Sequence, residues 1–329
     1  MVRRRGPVQR PPGCVPASLR AGRAPVPSIP VSDQPTDPND HAGPGRDYLA
    51  VNRAWWDERA PLHAGPGSIY DLDAFRRRPD RLHSIESEEV GDVAGRTLLH
   101  LQCHIGTDTL SWATRGAIVT GIDFSPPALA VARGLAQELG LADRARFVES
   151  DVYGLPDRLD GEFDVVFASW GAIAWLPDVA RWFRVAARFA RPGGFVYLAD
   201  GHPTAWIFND DAATPGDLRV TYPYFTTDGP IAYVGPDISG SYAVPDAPTA
   251  HNDTHEWIHP IAWIVQAAID AGLTVELLHE HTQIPWRMFP FLVGGDDGLY
   301  RLPDGMPSIP LSFSLRARKP AGWRGAGRR

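Results

Sequence analysis

Apolar positions change their spacing several times between residues 47 and 319, and each spacing predicts an element. Asp47 is a helix cap, and Tyr48, Val51, Ala54 and Trp55 then recur close to one helical face. A Gly/Pro-rich break at 65–67 leads into a mixed segment ending near Gly95. From there short apolar runs alternate with helical patterns. The runs at 97–101, 117–122, 146–148, 163–168 and 195–199 read as five strands. Helices are expected at 108–115, after Ser125-Pro126, and after Asp178, with Leu129, Ala132 and Leu135 on the second face and Trp182, Phe183 and Ala186 on the third. Gly140 and the turn at 191–194 stop the latter two. Ile261, Ile264, Val265, Ala268 and Ile269 define a later helix ended by Gly272, and 273–281 and 311–319 read as two late strands. Trp286, Phe289 and Phe291 between those strands read as core, with the wall of a ligand pocket as the alternative.

Strands alternating with helices of this length form βαβ units, hence an α/β fold with a parallel sheet covered on both faces. Ligands of such sheets bind at the carboxyl ends of the strands. The residues to inspect are therefore 100–106, 123–125, 151–153, 169–171 and 200–202. Asp123 lies 17 residues after Gly106, where a doubly wound fold places the carboxylate that accepts the hydroxyls of an adenosine ribose. Asp151, ending the third strand, has two readings: an adenine amino group or a neighbouring backbone amide.

Composition narrows the partners. The 329 residues are 43% hydrophobic and 22% charged, with a formal net charge of −7, a balance of folded globular chains without the basic footprint of nucleic-acid binding. No apolar run approaches the ~18 residues of a membrane helix. Cys14 and Cys103 form no CxxC pair, which excludes a disulfide framework and a thiolate zinc site and makes a cytoplasmic protein the expectation. Residues 1–46, with Arg3, Arg4, Arg5, Arg10, Arg20, Arg23 and many prolines, read as a disordered arm, and 320–329 as a disordered tail. Small-molecule or protein partners remain, and oligomeric state is not readable.

Five segments then acquire a joint meaning: 98–106 (Leu-Leu-His-Leu-Gln-Cys-His-Ile-Gly), 121–125 (Gly-Ile-Asp-Phe-Ser), 149–152 (Glu-Ser-Asp-Val), 163–166 (Phe-Asp-Val-Val) and 191–194 (Arg-Pro-Gly-Gly). In this order they resemble the motifs of class I S-adenosylmethionine-dependent methyltransferases, strongly over 97–200 and more weakly over 260–319. The first wording, Leu-Gln-Cys-His-x-Gly, is similar to that of a bacterial small-molecule subgroup. The resemblance implies a Rossmann-like, mostly parallel seven-stranded sheet with helices on both faces and S-adenosylmethionine across its switch point. It implies cofactor contacts from His100, Gln102, Cys103 and Gly106 in the first loop, from Asp123 and Phe124, from Asp151 and Val152, and from Ser169. The family's usual first motif is acid-x-Gly-x-Gly-x-Gly. Here His100, Gln102 and His104 stand at the first three of those places, and the contact affected is the one to the cofactor's amino group.

The organisation expected on this basis is a helical lid over 47–96, a cofactor-binding core over 97–202, a substrate-covering aromatic insertion over 203–259 after the fifth strand, and a closing helix with two strands over 260–319. Trp55 is a candidate for covering the sulfonium, and Trp170, Trp175 and Tyr222 for lining the acceptor pocket. Within the insertion, 222–225 is expected to form a hairpin with 231–234 and 240–243. An acceptor that must lose a proton needs a general base, for which His202 and Glu256 are the candidates. Two other readings stay open. One is a noncatalytic scaffold of the same fold. The other is a zinc hydrolase using His255, Glu256 and His259, an H-E-x-x-H match that Pro260 opposes because the motif needs one continuous helix. The methyltransferase reading itself calls for no metal.

Overall fold

A computed structural model describes residues 48–234, 240–245 and 247–322. The proposed cap Asp47, the arm 1–46 and positions 323–329 of the tail lie outside them. Helices α1 (Tyr48–Ala64), α2 (Leu72–Arg77) and α3 (Ser84–Val90) precede the sheet. There follow β1 (Thr97–Leu101), α4 (Thr107–Thr114), β2 (Ile118–Asp123), α5 (Pro126–Glu138), β3 (Ala145–Glu149), β4 (Phe163–Ser169), α6 (Val179–Phe189) and β5 (Ala190–Gly201). The insertion carries α7 (Pro203–Trp206), β6 (Ile231–Tyr233) and β7 (Thr254–Glu256). The chain closes with α8 (Ile261–Asp270), β8 (Thr274–His281), β9 (Gln283–Ile284), β10 (Val293–Gly294), β11 (Tyr300–Arg301) and β12 (Ser312–Arg318).

The main sheet has the order β3-β2-β1-β4-β5-β12-β8, with β12 antiparallel to both neighbours. This is the mostly parallel seven-stranded sheet that the motifs implied. β1 and β4 run parallel, but successive strands are added on one side of β1 and then, from β4 on, on the other, so the cleft outside their carboxyl ends is the switch point. Side chains alternate across the pleat: Leu99 and Leu101 of β1 pack into the core under α6 and α8, whereas Leu98 packs with α3 and α4. His100 shares the face of Leu98, and its ring meets Phe167 edge-on at 4.9 Å.

The local signals act where they were read. Ser125 accepts from Ala128 N and Asp178 from Arg181 N, capping α5 and α6. Three expectations are corrected. The segment before Gly95 contains α2 and α3, the former capped by Asp71. The Arg-Pro-Gly-Gly turn is absorbed into β5, where a side chain at Gly194 would meet carbonyl oxygens at 2.8 and 2.9 Å. In the insertion β6 pairs with β7, Ile231 opposite Glu256, so the expected local hairpin with 222–225 and 240–243 gives way to a pairing of the middle of the segment with its C-terminal end.

Helix α1 is the fourth correction. Its buried residues include Asn52, Arg59 and His63, a polar stripe, while Tyr48, Val51, Ala54 and Trp55 are only half-buried. The stripe faces loop backbone, which needs hydrogen-bond partners more than apolar cover. Phe289 packs with Ala205, Ile284 and Leu311 in a small core of its own. Among the described residues no helix is long and apolar enough to cross a membrane.

Candidate functional site

The loop after β1 keeps a glycine backbone without the glycines. Gln102 and His104 have φ of 58° and 50°, beside 79° at Gly106. A left-handed non-glycine costs roughly 1–2 kcal/mol, so something must hold each one. Gln102 donates to Ala172 O at 2.7 Å and accepts from the buried Trp182 Nε1 at 3.0 Å, tying the loop to the turn after β4 and to α6. His104 donates its backbone N–H to Asp123 Oδ2 at 2.8 Å. Gly106 has a packing reason as well as its φ, since a Cβ there would stand 2.7 Å from Ala132 Cβ on α5. Cys103 and Val152 lie in the buried cores.

At the end of β2 the Asp123 carboxylate accepts from His104 N and, through its other oxygen, from Ser125 N at 2.9 Å. Burial nevertheless pushes its pKa up to about 6 against these bonds. A carboxylate has about four acceptor directions, so two remain for hydroxyl donors. Phe124 beside it is half-buried. Asp151 Oδ1 accepts from both Tyr153 N and Gly154 N at 2.9 Å, so of its two readings the backbone contact is the one formed within the protein.

Over these strand ends lies an aromatic lid. Trp55 and Trp56 of α1 pack on Trp175 with centroids at 5.3 and 5.1 Å, and Trp56 stands 4.9 Å from the His104 ring. His104 Nε2 meets His63 Nδ1 at 2.8 Å, and His63 Nε2 meets Ser241 Oγ at 2.7 Å. This imidazole–imidazole–hydroxyl chain joins the cofactor-type loop, α1 and the insertion. Burial pushes His104 down to about 3, so it is a neutral imidazole at ordinary pH. Arg59, 1% exposed, fastens the same elements: it donates to His251 O at 2.7 Å, Asn252 Oδ1 at 2.8 Å and Gly240 O at 3.1 Å, and its guanidinium lies 4.0 Å over the Trp55 ring. Asn52 exchanges two bonds with the His255 backbone.

The two candidate bases sit elsewhere. His202 is buried, its Nδ1 accepting from Thr204 N and its Nε2 meeting Glu280 at 2.8 Å, so both nitrogens are used in capping α7 and in an ion pair. Glu256 is on β7 beside Tyr222 and Tyr233, where burial and Asp210 push it up to about 7. The zinc reading is overturned: His255 and Glu256 are in a strand, and His259 Nε2 meets Leu176 O at 2.8 Å. Among the described residues no cluster could hold a metal ion.

Sequence reasoning missed a polar group on the α3/α4 side. Ser169 donates to Asp108 Oδ2 at 3.0 Å. Asp108 interacts electrostatically with His83 and with Glu86, whose pKa burial raises to about 8. His100 Nε2 is buried with no hydrogen-bond partner among the described residues, and the buried Glu86 carboxyl and Trp170 indole lie against each other. Such an orphaned atom at a strand end marks space for a polar ligand group. With the glycine-like loop and the spare acceptor directions on Asp123, it fits a zwitterionic nucleoside cofactor. The only sequence signal was Asp108 itself, an acid in the first turn after Gly106.

A family model described as a methyltransferase domain matches residues 98–194. The ubiquinone biosynthesis O-methyltransferase of Pseudomonas paraeruginosa (strain DSM 24068 / PA7) is 33% identical over 174 residues, 51% of this chain and 67% of that protein. That of Sodalis glossinidius (strain morsitans) is 34% identical over 178 residues, 52% of this chain and 63% of that protein. Among solved structures, an S-adenosylmethionine-dependent methyltransferase from Mesorhizobium loti aligns at 19% identity with a TM-score of 0.47, covering 70% of this chain and 94% of that one.

Proposed function

Because this chain belongs to the S-adenosylmethionine-dependent methyltransferases, we propose that it moves the cofactor's methyl group, by in-line displacement, to a hydroxyl of a small molecule with an apolar body. The observation that carries the acceptor class is the aromatic lid of Trp55, Trp56 and Trp175 fastened over the ends of β1 and β2. The cofactor, when bound, supplies an activated methyl on a sulfonium. The protein then has to align the acceptor and exclude water. Asp123 would hold the ribose hydroxyls on its two spare acceptor directions, and the first turn of α4 offers backbone N–H groups to a carboxylate.

A hydroxyl acceptor is suggested by the relatives, which are named as O-methyltransferases. Its proton needs a receiver. Burial holds His104 near 3, too weak a base to keep that proton, so its place beside the tryptophans suits it to orienting the hydroxyl, whereas Glu256, raised to about 7, is in the range of a general base. The test uses methyl-labelled S-adenosylmethionine with a panel of phenols and a small-molecule extract. Label is expected in apolar hydroxylated products. Label confined to highly charged products would sink the acceptor reading.

A further inference from the structure

An ammonium group carried into a buried cleft needs a carboxylate beside it, because an unpaired buried charge is far more costly than a paired one. S-adenosylmethionine brings such a group on its methionine end. His100, at the end of β1, cannot neutralise it: the ring is 3% exposed, held neutral by burial, and bonded through Nδ1 to Thr109 Oγ1 at 2.7 Å. Asp123 and Asp151 are occupied as described. Asp200 accepts from the backbone N–H groups of Gly171, Ala172, Ile173 and Gly201.

We propose that Asp108, backed by Glu86, is the counter-ion for the ammonium of the cofactor's methionine moiety. Asp108 is the second residue of α4, directly after the loop, and is half-buried, so one side stays accessible to a ligand. Ser169, which donates its hydroxyl to Asp108, ends β4, which places the carboxylate across the switch point between β1 and β4. Glu86 is 0% exposed, feels the charge of Asp108 and lies against the Trp170 indole. His100 Nε2 is buried with no hydrogen-bond partner among the described residues. Two neighbouring carboxyl groups disfavour each other's charge until a cation joins them. His83 and Arg81 approach Asp108 from the segment before α3 and share its field. The charge missing from β1 is thus carried one helix turn further along the chain.

The inference rests on the cofactor assignment and is tested by calorimetry on the whole protein with two probes. S-adenosylhomocysteine carries the amino-acid end; 5′-methylthioadenosine keeps the nucleoside and sulfur but lacks it. Asp108→Asn is expected to weaken S-adenosylhomocysteine about ten- to hundredfold, the range for a charge-assisted hydrogen bond, and to leave methylthioadenosine within about twofold. Glu86→Gln should weaken the same probe by less. Unchanged methylthioadenosine binding also reports that the variants are folded. Equal losses for both probes would mean a structural role, and no loss for S-adenosylhomocysteine would mean that water fills the gap; either overturns the proposal. If the natural chain binds neither probe, the cofactor assignment fails instead.

Discussion

Replacing Arg59 by methionine should loosen the insertion on α1, where Asn52, Glu58 and His63 still hold it, while leaving the sheet intact. The guanidinium makes three bonds of 2.7 to 3.1 Å, to His251 O, Asn252 Oδ1 and Gly240 O. A hydrogen bond to a charged group contributes about 1.5–3 kcal/mol, and partners left unpaired cost about 1–3 kcal/mol each. His251 is exposed, so water takes over part of its share. Methionine keeps much of the stem packing on Trp55. The net loss is then about 3–4 kcal/mol, confined to the contact between lid and insertion. Amide exchange read by mass spectrometry should accelerate about a hundred- to thousandfold over 240–256 relative to the natural chain, with β1, β4 and β5 unchanged. If 240–256 exchanges at its original rate, Arg59 does not fasten the insertion. If the central strands accelerate equally, the lid and the core unfold as one unit.

Gln102→Gly restores the family's glycine and is expected to destabilise the protein. Relief of the 58° backbone gives back about 1 kcal/mol, offset by glycine's added chain entropy, whereas Trp182 Nε1 and Ala172 O lose their partner at about 1–3 kcal/mol each; a net loss of about 2–4 kcal/mol should appear in urea denaturation, and a gain would refute this accounting. Glu86 predicts a pH dependence in the ligand-free chain. Its folded pKa, about 8, lies above the ordinary ~4.3, so the native state binds its proton more tightly and stability falls as pH rises from about 4 through 8. Glu86→Gln should therefore match the natural chain near pH 4.5 and exceed it by about 2–4 kcal/mol at pH 9; a difference that stays constant with pH, followed by thermal unfolding, would contradict it.

What the sequence disclosed depended on how local each signal was. Strands β1 to β5 and helices α4 to α6 follow from short apolar runs, Ser125, Asp178 and the intervening glycines, all of which act within a turn of where they stand. The buried face of α1 was not legible that way. Apolar spacing singles out Tyr48, Val51, Ala54 and Trp55, but the neighbour of this helix is loop backbone at 240–256, and loop backbone calls for Asn52 and Arg59. The pairing of Ile231 with Glu256 joins the middle of the insertion to its C-terminal end and leaves no local trace either. Glu86 and Asp108 are single acids in polar surroundings, a pattern shared by solvated faces; only their burial in the fold sets them apart.

The first loop shows why a motif's letters and its geometry are separate evidence. Glycines at the positions of Gln102 and His104 would stand for a left-handed backbone, and both residues adopt it without them. A loop decaying under no constraint would let a glutamine and a histidine relax to negative φ, because each left-handed residue costs free energy. Here each is held by a specific bond: Gln102 by Trp182 and Ala172, His104 by the Asp123 carboxylate and by His63. The noncatalytic reading drew its strength from the lost glycines, and the conformation they would encode is still present. The added side chains change what the loop touches: Gln102 reaches α6, and His104 reaches the lid. The loop keeps the backbone that glycines would encode and couples it, through the His104 and His63 rings, to α1, so the position of that helix and the conformation of the loop are set together.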